Sequence, residues 1–119
     1  MYFFDTYALV ELLVDNPSYK RYGDAQLTVS ALNIGEFYLF LARTYGAREA
    51  DRQLASLTFN IAELTQRRVM EAARFKLLYS SRNVSWADCA GYVIARELNL
   101  KFLTGDVQFK GMPNVEFVK

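Results

Sequence analysis

Histidine is absent from the chain, and that excludes Ser-His-Asp hydrolysis, Cys-His catalysis and every histidine-ligated zinc or iron centre. Cysteine is almost absent: Cys89 alone cannot form an internal disulfide or a thiolate cluster, and Asp88 and Ala90 beside it do nothing to lower its pKa. A reducing compartment fits. No run approaches ~20 uninterrupted apolar residues, and Asp5 stands where a signal peptide needs its apolar stretch, so a soluble, cytoplasmic protein with no membrane partner is expected. Charge imbalance is also lacking, since 14 basic and 13 acidic side chains leave a formal +1; any affinity for a polyanion must come from local patches. What is present is a foldable chain: 119 residues, 52% hydrophobic and 23% charged, are expected to form one domain, 1–119, around one core. Polar chemistry then falls to carboxylates, hydroxyls, lysine and arginine, with hard, oxygen-liganded cations as natural helpers.

Strand and helix signals alternate throughout. Tyr2-Phe3-Phe4 is a short aromatic strand stopped by Asp5-Thr6, and Ala8, Leu9, Leu12 and Leu13 follow at helical spacing. Asn16-Pro17 opens a brief helix that Gly23 ends, and Leu27–Val29 is a second buried strand. Ser30 caps a long helix ending at Gly46, whose apolar residues Leu32, Ile34, Phe37, Leu39, Phe40 and Leu41 nearly surround it and predict extensive burial. A more polar helix is expected from Arg48 to Leu57 and a weak strand at Phe59–Ala62. Thr65 caps a helix to about Ser80, with Val69, Ala72, Ala73 and Leu77 expected inward and Arg67, Arg68, Arg74 and Lys76 outward. Ser85 opens the last helix, whose small residues Ala87, Ala90, Gly91 and Ala95 imply close packing, and strands follow at Lys101–Thr104 and Val115–Val118. The pattern predicts an α/β fold: a mainly parallel central sheet covered on both faces, with its site beyond the strands' carboxyl ends.

Four carboxylates stand out. Asp5 and Asp106 each follow a strand, Glu36 lies in an otherwise apolar helix, and Asp88 lies in the first turn of another. Separately, Asp5 reads as a helix cap, Ser85-Trp86-Ala87-Asp88 as a capping box and Asp106 as a turn residue, while an inward Glu36 needs a partner. A single carboxylate cluster at the sheet's carboxyl edge explains all four placements. Crowded carboxylates stay ionised only beside a neutralising cation, which points to Mg²⁺ or Mn²⁺ and to metal-assisted phosphodiester hydrolysis, a reaction that needs no histidine.

Over nearly its whole length the sequence resembles the PIN-domain ribonucleases, and among them the small VapC-type toxins of toxin-antitoxin pairs. The resemblance rests on the strand ending in Asp5-Thr6, the stretch Ser30-Ala31-Leu32-Asn33-Ile34-Gly35-Glu36, and Ser85-Trp86-Ala87-Asp88-Cys89-Ala90 leading to Leu103-Thr104-Gly105-Asp106 and Phe109. It implies a three-layer α/β/α fold and metal-dependent endoribonuclease activity. Asp5, Glu36, Asp88 and Asp106 would be the catalytic, metal-binding acids, with the Thr6 and Thr104 hydroxyls supporting them. It also implies an antitoxin partner covering the acidic crevice. Many relatives carry an aspartate where this chain has Gln108, which keeps a carbonyl oxygen and loses a charge.

RNA needs positive surface near such a crevice. Arg67, Arg68, Arg74, Lys76 and Arg82 form the most basic segment; Arg67, Arg68 and Arg82 are candidate substrate contacts, and Arg82 is closest in sequence to Asp88. Tyr7, Trp86 and Tyr92 neighbour the acids, although most aromatics are expected in the core. Tyr38, Leu39 and Phe40 suggest a homodimer face. Three other functions compete: a catalytically silent PIN-like module binding RNA or protein, a housekeeping RNA-processing nuclease, and a phosphoacceptor receiver domain. The receiver reading is weakened because Lys101 begins its strand rather than ending it.

Overall fold

Phe3 and Phe4 are both fully buried and, being adjacent in a strand, face opposite sides of the sheet. The computed structural model describes residues 1–119 and places that strand, β1 (Tyr2–Phe4), at the centre. The elements that follow are α1 (Thr6–Leu13), a 3₁₀ turn (Pro17–Tyr22), β2 (Leu27–Val29), α2 (Ala31–Tyr45), α3 (Ala47–Ala55) and β3 (Phe59–Ile61). Then come α4 (Gln66–Leu78), α5 (Trp86–Glu97), β4 (Lys101–Thr104), a second 3₁₀ turn (Val107–Phe109) and β5 (Val115–Phe117). The order across the sheet is β3-β2-β1-β4-β5. Every neighbouring pair is parallel, with Phe3 opposite both Thr28 and Phe102, and Thr104 opposite Phe117.

Each face of the sheet carries its own core. Phe3 and Phe102 pack with Phe75, Tyr92, Ile94 and Phe109 under α4 and α5. Phe4, Val29 and Leu103 pack with Leu9, Tyr19, Phe37 and Leu41 under α1, α2 and the first 3₁₀ turn. Gly91 lets α5 press onto the sheet: a Cβ there would stand 2.7 Å from the Phe3 ring and 2.9 Å from Phe102. The three-layer α/β/α arrangement expected from the alternation is present, wholly parallel.

Two helix faces differ from expectation. α2 is not largely buried: Asn33, Phe37 and Leu41 are, whereas Leu32 and Leu39 are 39% and 48% exposed. Neighbouring elements cover one flank of α2, and an all-round apolar pattern cannot say which flank that is. In α4 the expected inward residues Val69 and Leu77 lie in solvent, 43% and 78% exposed. Phe75 sets the phase instead, its ring 4.6 Å from Tyr79 and 4.9 Å from Tyr92, with Ala72 beside it.

Candidate active site

The chain order reverses across the sheet between β1 and β4, so a crevice opens beyond their carboxyl ends. Asp5, the residue after β1, occupies the N-cap position of α1, yet its side chain caps nothing. Its Oδ2 accepts a hydrogen bond from the Thr104 hydroxyl across the β1–β4 boundary at 2.7 Å. The capping reading of Asp5 therefore fails. Thr104 Oγ1 in turn accepts from the Asp106 amide at 3.0 Å, tying both strand-end aspartates to one buried hydroxyl.

Asp88 enters from α5, and its capping box is real: Oδ2 accepts from the Ser85 amide at 2.8 Å, and the Asp88 amide donates to Ser85 Oγ at 3.1 Å. Glu36 comes from α2, where its Oε1 accepts from the Thr6 hydroxyl at 2.8 Å. Thr6 is held by Asn33, whose Nδ2 donates to Thr6 Oγ1 at 3.3 Å. The Asn33 Oδ1 accepts from both the amide and the hydroxyl of Ser30, at 3.1 and 2.8 Å. Asn33 is thus a positioning residue that reading the sequence for acids passed over; its signal was a polar side chain three residues after the cap of an apolar helix.

The four acids share one design. Each has one oxygen bonded to the scaffold and the other with no hydrogen-bond partner: Asp5 Oδ1, Glu36 Oε2, Asp88 Oδ1 and Asp106 Oδ2. The bare Asp5 Oδ1 is fully buried as well. Burial, and then the neighbouring charge of Asp88, push the Asp5 carboxyl well above its usual range, against the hydrogen bond from Thr104. Asp88 is raised to about 6, chiefly by burial; the Ser85 amide opposes the rise, and the charges of Glu36 and Asp106 add to it. Asp88 thus feels the charges of Glu36 and Asp106, and Asp5 those of Asp88 and Glu36. Asp5, Asp88 and Asp106 line an open cleft of about 340 Å³ together with Thr6, Tyr7 and Glu11.

A buried carboxylate oxygen without a donor fits a cation. No three of the acids converge closely enough to hold an ion by themselves. The single metal-holding cluster expected from the sequence is therefore not assembled by the side chains alone, and a bound Mg²⁺ or Mn²⁺ would need water and phosphate oxygens to complete its shell.

The other predicted residues divide. Gln108 turns its Oε1 to the Asn83 amide at 3.4 Å, and the Arg82 guanidinium donates to the Gln108 carbonyl, so both tie the loop before α5 to the second 3₁₀ turn at the edge of the site. Arg67 and Arg68 lie elsewhere. Arg68 is paired with Glu97 at 2.6 Å and also donates to the Glu63 carbonyl at 2.8 Å. Glu97 ends α5, whereas Asp88 is in its first turn, roughly 13.5 Å away at 1.5 Å per residue. Because α4 and α5 run antiparallel, the start of α4 is far from the acids and its end is near them.

The PIN domain family model matches residues 2–115. No curated protein matches the chain significantly. Among solved structures, a toxin-antitoxin complex from Klebsiella pneumoniae is 20% identical with a TM-score of 0.74, over 97% of this chain and 95% of that one. The toxin VapC20 of Mycobacterium tuberculosis, described as cleaving the sarcin-ricin loop, is 19% identical with a TM-score of 0.77, over 97% and 98%. VapBC2 from Rickettsia felis, bound to a DNA fragment from its promoter, is 14% identical with a TM-score of 0.71, over 98% and 96%.

Proposed function

The chain belongs to the PIN-domain family, and from that premise we propose that it is a divalent-metal-dependent endoribonuclease acting as the toxin of a toxin-antitoxin pair. The observation that carries the reading is the set of four carboxylates, each fixed by one oxygen and bare at the other, around a buried Asp5 oxygen with no donor. Mg²⁺ or Mn²⁺ would be held in the cleft through one or two of Asp5, Asp88 and Asp106 at a time and completed by water and phosphate oxygens, with Glu36 adding charge behind Thr6. When bound, such an ion eases deprotonation of the attacking water and stabilises the charge that develops on the phosphate. The Thr104 hydroxyl orients Asp5 and the Asp106 backbone together; Asn33 orients Thr6, and Thr6 orients Glu36.

Support for the toxin role comes from the shared fold, since two of the similar structures are of toxin-antitoxin assemblies. An antitoxin chain would cover the acidic crevice and offer it a positive charge. Leu32 and Leu39, seven residues apart on α2, leave apolar surface beside the partly buried Tyr38 and Phe40, which supports a homodimer; a monomer's mass by light scattering at micromolar concentration would count against it. No helix is long and apolar enough to cross a membrane.

The deciding experiment incubates a mixed small-RNA pool with the purified protein in Mg²⁺ or Mn²⁺, in EDTA, and with an Asp5→Asn, Asp106→Asn double variant shown to remain folded. Cutting that needs metal and is lost in the double variant is expected. Absence of cutting in every lane, from protein free of bound inhibitor, would favour the silent binding module. Growth arrest on unopposed expression separates a toxin from a housekeeping processor.

A further inference from the structure

The acids that make this site also repel the substrate proposed for it, so something must hold phosphates at its rim. Arg52, Arg68 and Arg74 are not available, being paired with Glu49, Glu97 and Glu71. Lys76, Arg82 and Lys119 are different. Each is held by neutral partners only, a main-chain carbonyl and an aromatic face. Lys76 Nζ donates to the Val84 carbonyl at 2.7 Å and stands 5.9 Å from the centre of the Trp86 ring. Arg82 donates to the Gln108 carbonyl and lies 5.3 Å over Tyr79. Lys119 Nζ donates to the Gly105 carbonyl at 3.1 Å and lies 5.3 Å over Tyr7, a residue of the cleft wall. Such partners fix a cation without cancelling its charge, and an ammonium or a guanidinium has further donors to offer.

The three anchoring carbonyls all adjoin the acids. Val84 precedes Ser85, whose amide holds Asp88; Gly105 lies between Thr104 and Asp106; the Gln108 amide donates to Asp106. The cations are therefore anchored beside the acids, Lys76 and Arg82 at the loop before α5 and Lys119 at the end of β4. Lys119 is not a loose end, because the residue before it is fixed twice: the Tyr19 hydroxyl donates to the Val118 carbonyl at 2.5 Å, and the Val118 amide to the Thr104 carbonyl at 2.9 Å. Only glycine fits at 105 beneath it, where a Cβ would stand 2.3 Å from both the Tyr7 ring and the Val118 carbonyl.

We infer that Lys76, Arg82 and Lys119 are the substrate-binding residues that grip RNA phosphates on either side of the bond to be cut, an assignment that rests on the nuclease reading above. It replaces Arg67 and Arg68, at the far end of α5, with Lys76 and Lys119.

The test measures binding of a fluorescein-labelled hairpin RNA by anisotropy across a salt series, in an Asp5→Asn background that cannot cut, and KM and kcat with Asp5 restored. Lys76→Gln, Arg82→Gln and Lys119→Gln are compared with Arg67→Gln as control. Each rim variant is expected to weaken binding several-fold, to flatten the plot of log affinity against log salt by about 0.7 per lost single-strand contact, and to raise KM with little change in kcat; the control should do none of these. A salt slope and KM unchanged in all three rim variants, while the wild-type rim still cuts RNA, would overturn the rim and leave the nuclease. RNA bound with a rim-dependent slope but never cut would overturn the nuclease and leave the rim. No binding at all would overturn both.

Discussion

Asp5 shows most directly how this site trades stability for chemistry. Its carboxylate is buried, one oxygen is bare, and its affinity for a proton is raised by burial and by Asp88. Without a cation, that charge works against the fold. Asp5→Asn keeps an oxygen that can accept from Thr104 and removes the charge, so the metal-free variant should be more stable by about 1–2 kcal/mol while losing RNA cleavage. Chemical denaturation reads the first effect, and a midpoint below that of the parent would refute it. Gly105→Ala should act the other way. Its new Cβ would meet the Tyr7 ring and the Val118 carbonyl at 2.3 Å, and forcing such a contact costs about 1–3 kcal/mol, visible as a lower thermal midpoint. At this scale the sequence was most legible for the acids, because a polar residue stopping a short buried strand has few places to go. It was least legible for cations: Arg68 and Lys76 look alike on a linear chain, and only the antiparallel turn between α4 and α5 puts one beside Glu97 and the other beside Trp86.

Among the elements, the start of α2 is where fold and site are the same object. Ser30 and Asn33 are fully buried, and through Thr6 their hydrogen bonds reach Glu36. Asn33→Ala would leave Ser30 without an acceptor and Thr6 without a donor, at about 1–3 kcal/mol for the stranded polar groups. It should also lower kcat more than it raises KM, since Glu36 would be misplaced while the phosphate contacts stayed. Unaltered kcat in a destabilised Asn33→Ala protein would reduce Asn33 to a helix cap. Element order was readable from periodicity and turn residues, including the brief helix opened by Asn16-Pro17, which forms as a 3₁₀ turn with Asn16 Oδ1 accepting from the Ser18 amide at 2.9 Å, whereas the 3₁₀ turn Val107–Phe109 carried no such signal. Helix phase was not readable where apolar residues exceed what one face can bury. The exposed Leu39 and Leu77 obey the same periodicity as their buried neighbours, and the choice between faces is made by tertiary partners such as Tyr92 against Phe75.

For the molecule as a whole, clustered acids set the dependence of stability on pH. Asp88 is raised from 3.8 to about 6, and Asp5 is displaced in the same direction. A carboxyl whose pKa is higher folded than unfolded binds more protons in the folded state, so stability falls as pH rises through the window between the two values. For Asp88 that window runs from 3.8 to about 6. The lowered carboxyls of Glu49, beside Arg52, and Glu97, beside Arg68, have the opposite sign, but they act below the ordinary glutamate value of 4.5. Metal-free protein should therefore have a higher denaturation midpoint near about pH 5 than near about pH 7.5. A divalent cation reverses the balance, because it binds the ionised carboxylates and stabilises the folded state in proportion to its occupancy. Added Mg²⁺ should raise the midpoint substantially at the higher pH and little at the lower one, where protons compete for the same oxygens. The same titration on the Asp5→Asn, Asp106→Asn double variant should show a weaker pH dependence and little response to Mg²⁺. A midpoint that climbs with pH in the metal-free protein, or a Mg²⁺ response that survives the double substitution undiminished, would place the ion and the destabilising charge somewhere other than this cleft.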